Sequence, residues 1–102
     1  MKYSIIIPAH NSASTITGCI NSILQSKFSQ QYELILVDDA STDKTALLAK
    51  NLGAKVISHE QCLGPAAARN RGAQEASGNI LVFIDADILL FEDTLQKIDR
   101  FL

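Results

Sequence analysis

The chain has 102 residues, enough for one small domain spanning 1–102 and no more. Its formal charge is −2, and no Lys/Arg cluster or aromatic-basic stripe offers a surface to nucleic acid. No apolar run approaches membrane-spanning length, and the isoleucines before Pro8 are too few for a signal-peptide core. Cys19 and Cys62 show no metal-ligand spacing and read as reduced thiols, which suits a cytoplasmic protein.

Ser4-Ile5-Ile6-Ile7-Pro8-Ala9 predicts a first strand. Its apolar run is continuous rather than alternating, as in a parallel sheet covered on both faces. Pro8 cannot donate to a ladder and is expected to mark the strand's end. His10-Asn11-Ser12 is a strand-to-helix turn with Asn11 or Ser12 as N-cap. Ile16, Cys19, Ile20, Ile23 and Leu24 follow helical spacing within 13–26. Lys27 to Tyr32 is a polar loop.

Leu34-Ile35-Leu36-Val37 predicts a second buried strand ending at Asp38 and Asp39. Ser41 or Thr42 would cap the next helix, with Asp43 in its first turn and Gly53 as its stop. Ala54-Lys55-Val56-Ile57-Ser58 is a less apolar third strand, suited to a sheet edge. Pro65 opens a third helix that runs to about Ser77 and stops at Gly78. Ile80-Leu81-Val82-Phe83-Ile84 predicts a fourth strand, buried on both faces, that stops at Asp85-Ala86-Asp87. A last helix begins near Glu92 or Asp93, with Leu95, Ile98, Phe101 and Leu102 near one face. It carries no stop signal, so a truncated chain is expected.

Four strand–helix repeats predict an α/β fold, a Rossmann-like α/β/α sandwich with a parallel sheet; right-handed crossovers leave two simple places for the fourth strand, and the order expected is 3-2-1-4. Ligands in such sheets bind beyond the carboxyl ends of the strands, where the winding reverses. Pro8, Ala9 and His10, then Asp39, then Asp85 and Asp87 would line one crevice there. In extended backbone Asp85 and Asp87 point to the same side, and a divalent cation with phosphate oxygens would relieve their repulsion. Asp39 can accept from a nucleobase N–H or a ribose hydroxyl. His10 is either a turn residue or a ring that packs on a base. Arg69 can reach the base or phosphate side. No turn is a glycine-rich phosphate loop, so metal and Arg69 must do that work. Asp38 reads as structural, bonding to turn amides near Ser41 and Thr42. Arg71 reads as a solvated helix charge and His59 as a surface loop residue.

Four segments taken in order, 4–11, 37–43, 64–72 and 83–87, resemble family 2 glycosyltransferases over essentially the whole chain. The resemblance implies the GT-A fold of nucleotide-diphospho-sugar transferases, in part, with inverting transfer from a nucleotide-diphosphate sugar to an acceptor hydroxyl. The implied cofactor is Mg²⁺ or Mn²⁺. Nucleotide binding passes to Pro8, Ala9, His10, Asp39, Arg69 and Asp85. Metal binding passes to Asp87, with Asp85 as its partner. The family more often has Tyr where this chain has His10. The family's catalytic base and acceptor segments lie past the Asp-x-Asp, so the base is expected beyond residue 102 and this chain alone is expected to be inactive.

The alternative is a non-catalytic nucleotide-binding or assembly module of the same fold. A sugar-phosphate nucleotidyltransferase would need a glycine-rich first turn, and a receiver-type signalling domain would need a 2-1-3-4-5 sheet. In a 3-2-1-4 order strand four is an unprotected apolar edge, which leads to the expectation of a homo-oligomer.

Overall fold

A computed structural model describes residues 2–102, and Met1 lies outside them. The elements are β1 (Lys2–Ala9), α1 (Ile16–Leu24), β2 (Gln31–Asp39), α2 (Thr45–Asn51), β3 (Lys55–His59), α3 (Pro65–Glu75), β4 (Ile80–Phe83) and α4 (Thr94–Arg100). All strand pairs are parallel and the order is β3-β2-β1-β4. This is the Rossmann-like arrangement that the strand–helix alternation predicts. β2 begins inside the stretch read as loop, because Gln31, Tyr32 and Glu33 pair with Lys2, Tyr3 and Ser4.

The continuous apolar runs follow from cover on both faces. Ile5 and Ile7 of β1, with Leu34 and Leu36 of β2, pack against Ile16, Cys19, Ile20 and Ile23 of α1, Ala49 of α2 and Leu95 of α4. The intervening Ile6, Ile35 and Val37 turn the other way, onto Ala68 of α3. There α3 comes very close to the sheet. A Cβ on Gly72 would stand 2.4 Å from Ile6 Cγ2.

Contrary to expectation, β4 is only half-buried, with Leu81 and Phe83 39% and 44% exposed. Their register partners are Ser4 and Ile6, so they lie on the α3 face. The helix α3 covers β1 and β2 and leaves that part of β4 open. The last helix also departs from the reading. Leu95 is buried, but Phe101 and Leu102 are 90% and 68% exposed.

Pro8 lies inside β1, opposite Val37, rather than at its end. Ile6 O accepts from Ile84 N at 3.0 Å, so the polar groups of Ile6 face β4. By the two-residue period those of Pro8 face the same way. The β1–β4 pairing has already stopped at Ile6 and Phe83, so the missing N–H of Pro8 leaves no gap in the ladder. Beyond that pair the two strands part, and a crevice opens between them.

None of the expected side-chain caps forms on α1 or α2, which begin at Ile16 and Thr45. The turn residues bond across to each other instead. Asn11, in the left-handed region with φ 49°, accepts from Thr42 N at 2.8 Å. Asn11 N donates to Ser41 Oγ, and Ser12 N to Thr45 Oγ1, both at 2.8 Å. Asp43 precedes α2 and accepts from Ala13 N at 3.1 Å and Thr45 N at 3.0 Å. These bonds join the turns after β1 and β2 into one rigid floor.

At the other end of the sheet, α3 stops at Glu75, short of Ser77. Glu33 Oε2 there accepts from Ser77 N at 2.6 Å and from Ser4 Oγ at 2.5 Å. Gly78 N then donates to Ser4 Oγ at 2.8 Å, which leads the chain into β4.

Candidate functional site

At the carboxyl end of the sheet a cavity of about 440 Å³ lies between β1 and β4. Pro8, Ala9 and His10 form its β1 wall, Asp39 closes the β2 side, and Arg69, Asp85 and Asp87 form the far side. All seven residues singled out from the sequence therefore line one cavity. Cys62, Gly64, Pro65 and Ala68 complete it. None of these four was singled out as a site residue by the sequence reading. The available signal was the Gly-Pro start of α3, after which the N–H groups of Ala66 and Ala67 have no intrahelical partner.

Asp39 is 3% exposed and carries four donors from the end of β3 and the β3–α3 loop. Oδ1 accepts from Leu63 N at 2.8 Å and His59 Nδ1 at 2.9 Å. Oδ2 accepts from Gly64 N at 2.8 Å and from the Cys62 thiol at 3.4 Å. Burial alone raises the Asp39 pKa, but Leu63 N, His59, Gly64 N and Cys62 outweigh it. Together they hold the carboxyl well below the usual carboxylate range. Gly64 makes this possible through its φ of 99°, a conformation that L side chains rarely adopt. His59 is thus no surface loop residue. Its side chain is 6% exposed because β2–β3 register sets it opposite Asp39.

His10 is exposed at the rim and built into its turn. Nδ1 donates to the Asp39 carbonyl at 2.7 Å, and Nε2 accepts from Asn11 Nδ2 at 3.3 Å. Asp38 behaves as read in part: Oδ1 accepts from Ser41 N at 3.2 Å, while Thr42 N turns to Asn11. Arg71 pairs with Glu75 at 3.4 Å on the exposed face of α3.

Asp85 and Asp87 are not on extended backbone. β4 ends at Phe83, and Ile88 N donates to Asp85 O at 3.1 Å, so Asp-Ala-Asp forms a turn. The cause is the strap from 85 to 92, which is tied down on α1. Cys19 donates its thiol to Asp85 O at 3.6 Å, and Leu90 N donates to Ser22 Oγ at 3.0 Å. Burial first, then the charges of Asp87 and Asp85, push the Cys19 thiol up to about 11. Both carboxylates nevertheless reach the cavity, and Arg69 Nη2 lies 3.3 Å from Asp85 Oδ1.

The sequence profile of Glycosyl transferase family 2 matches residues 4–102. The chain belongs to glycosyl transferase family 2. It is 40% identical over 106 residues to the PGL/p-HBAD biosynthesis glycosyltransferase of Mycobacterium bovis, covering 98% of this chain and 41% of that protein. The structure of Staphylococcus aureus TarS 1-349 in complex with UDP-GlcNAc superposes with a TM-score of 0.89 at 34% identity. That match covers 99% of this chain and 31% of the TarS chain. The mannosyltransferase PcManGT of Pyrobaculum calidifontis, in complex with GDP-Man and Mn²⁺, gives a TM-score of 0.86 at 28% identity, covering 91% and 30%. The chain thus spans less than half the length of the family 2 relatives it matches.

The chemistry of the far wall fits a hard divalent cation. Asp85 and Asp87 are exposed carboxylates on one cavity wall, whose other charged group is Arg69. No cluster of three or more His, Cys, Asp or Glu converges among the described residues. A Mg²⁺ or Mn²⁺ site that takes one or two carboxylates and completes its shell with phosphate oxygens and water needs no such cluster. No described helix is long and apolar enough to cross a membrane.

Proposed function

We propose that these residues form the donor half of a glycosyltransferase that binds a nucleotide-diphosphate sugar with a divalent metal. The reaction proposed for the whole protein is inverting transfer to an acceptor hydroxyl. The observation that carries the reading is the convergence of Pro8, Ala9, His10, Asp39, Arg69, Asp85 and Asp87 on one cavity where β1 and β4 part.

The nucleoside lies against Pro8, Ala9 and His10, whose turn is held rigid by the bonds between residues 10–13 and 41–45. Asp39 anchors the β3–α3 loop and supplies negative charge at the base and ribose side. Arg69 supplies the positive charge for the diphosphate, and its present partner Asp85 is exposed enough to exchange it. Asp87, with Asp85, would hold Mg²⁺ or Mn²⁺, and such a cation offsets charge on a departing diphosphate. TarS with UDP-GlcNAc and PcManGT with GDP-Man and Mn²⁺ support this reading by likeness. Calorimetric titration with UDP and GDP in Mn²⁺ tests it. Measurable binding of at least one nucleotide is expected, and none for either at millimolar concentration would refute the proposal.

A further inference from the structure

Asp39 can accept from a nucleotide only if one of its present donors leaves. A carboxylate offers about four lone-pair positions, and here all four are taken by the protein's own groups. Leu63 N and Gly64 N, both at 2.8 Å, belong to the backbone that leads into α3, where Gly64 O in turn accepts from Ala68 N at 3.1 Å. His59 Nδ1, at 2.9 Å, comes from a buried ring on the strand that pairs with β2. The Cys62 thiol differs on each count. Its contact is the longest at 3.4 Å, S–H is a weak donor, and the residue is exposed and lines the cavity. A rotation of its side chain alone frees Oδ2 towards the cavity.

We infer that Cys62 is the exchangeable donor on Asp39, a thiol that holds the acceptor position until a nucleotide N–H or O–H replaces it. The inference rests on the proposed donor site and adds a residue that sets its affinity and selectivity. A ligand that brings a donor to Oδ2 regains what the thiol gave up. A base that presents an acceptor there cannot replace the thiol and sets a second acceptor against a carboxylate oxygen, so it binds less well. The device keeps Asp39 satisfied when the site is empty, so no buried side-chain oxygen is orphaned among the described residues.

Two readouts on the same chain test it. Nucleotide binding to Cys62→Ala removes the competitor, so affinity for the preferred nucleotide should rise on the order of three- to tenfold. In the wild-type chain the infrared S–H stretch of Cys62 is assigned by its loss in Cys62→Ala. It should move to higher frequency when the nucleotide saturates the site, as the bond to the carboxylate is lost. The Cys19 thiol, bonded to the Asp85 carbonyl at 3.6 Å, keeps its own band in Cys62→Ala and is told apart in that way. Wild-type binding with an unmoved Cys62 band, or with Cys62→Ala no tighter than wild type, overturns the inference and leaves the donor-site proposal standing. Absence of any nucleotide binding by the wild-type chain overturns both.

Discussion

Asp39 and His59 are register partners at the carboxyl ends of β2 and β3, and His59 Nδ1 donates to Asp39 Oδ1 at 2.9 Å. Two adjacent strand ends are thereby locked, and the carboxylate that closes the cavity is held in one orientation. Hydrogen bonds to charged groups contribute about 1.5–3 kcal/mol, so His59→Ala should destabilise the fold by about that amount. His59→Asn places an amide N–H near the position of Nδ1 and should recover most of the loss. Urea denaturation of both variants measures this, and equal midpoints for the two would mean that the ring matters only by its bulk.

Much of the fold was legible because β1 and β2 are buried on both faces, and that burial writes itself as unbroken Ile, Leu and Val. The candidate residues were legible because strand ends in such a sheet share one edge. The Asp39–His59 contact was not, since it depends on β2–β3 register, which neither strand's own composition reports. Asn11 and Ser41 looked like helix caps because a capping side chain and a turn-to-turn bond call for the same residue types. The exposure of Leu81 and Phe83 depends on how far α3 reaches across the sheet, which no local pattern encodes.

Close packing of α3 gives a second expectation. Alanine at position 72 would gain about 1 kcal/mol in helix propensity. Its methyl would stand 2.4 Å from Ile6 Cγ2, and Ile6 is fully buried in a central strand. Overpacking of that kind costs about 1–3 kcal/mol and should win. Gly72→Ala is therefore expected to lower the urea midpoint, and a higher midpoint would show that the sheet yields easily.

Acid should weaken the fold through depressed carboxylates. Glu33 is raised by burial but brought down further by Ser4, Ser77 and Lys2, from 4.5 to about 2. Asp39 is likewise held below the ordinary range. With folded pKa values below unfolded ones, the unfolded chain takes up protons first as pH falls. Their contribution is complete above the unfolded values and is lost as pH drops through the folded ones. Urea midpoints should be level from pH 7 to about 5, then fall from 4.5 towards 2 for Glu33. Glu33→Gln should flatten part of that slope. An unchanged slope in this variant would remove Glu33 from the account.

The central claim, a metal-assisted nucleotide site between β1 and β4, is tested most directly by the dependence of nucleotide affinity on Mn²⁺. Calorimetry of UDP and GDP binding, with and without Mn²⁺, should be run on the wild-type chain and on Asp87→Ala. The account predicts that Mn²⁺ strengthens nucleotide binding to the wild type at least about tenfold, or ~1.4 kcal/mol, and that Asp87→Ala abolishes the gain. Strong binding that needs no metal and is indifferent to Asp87→Ala would contradict it.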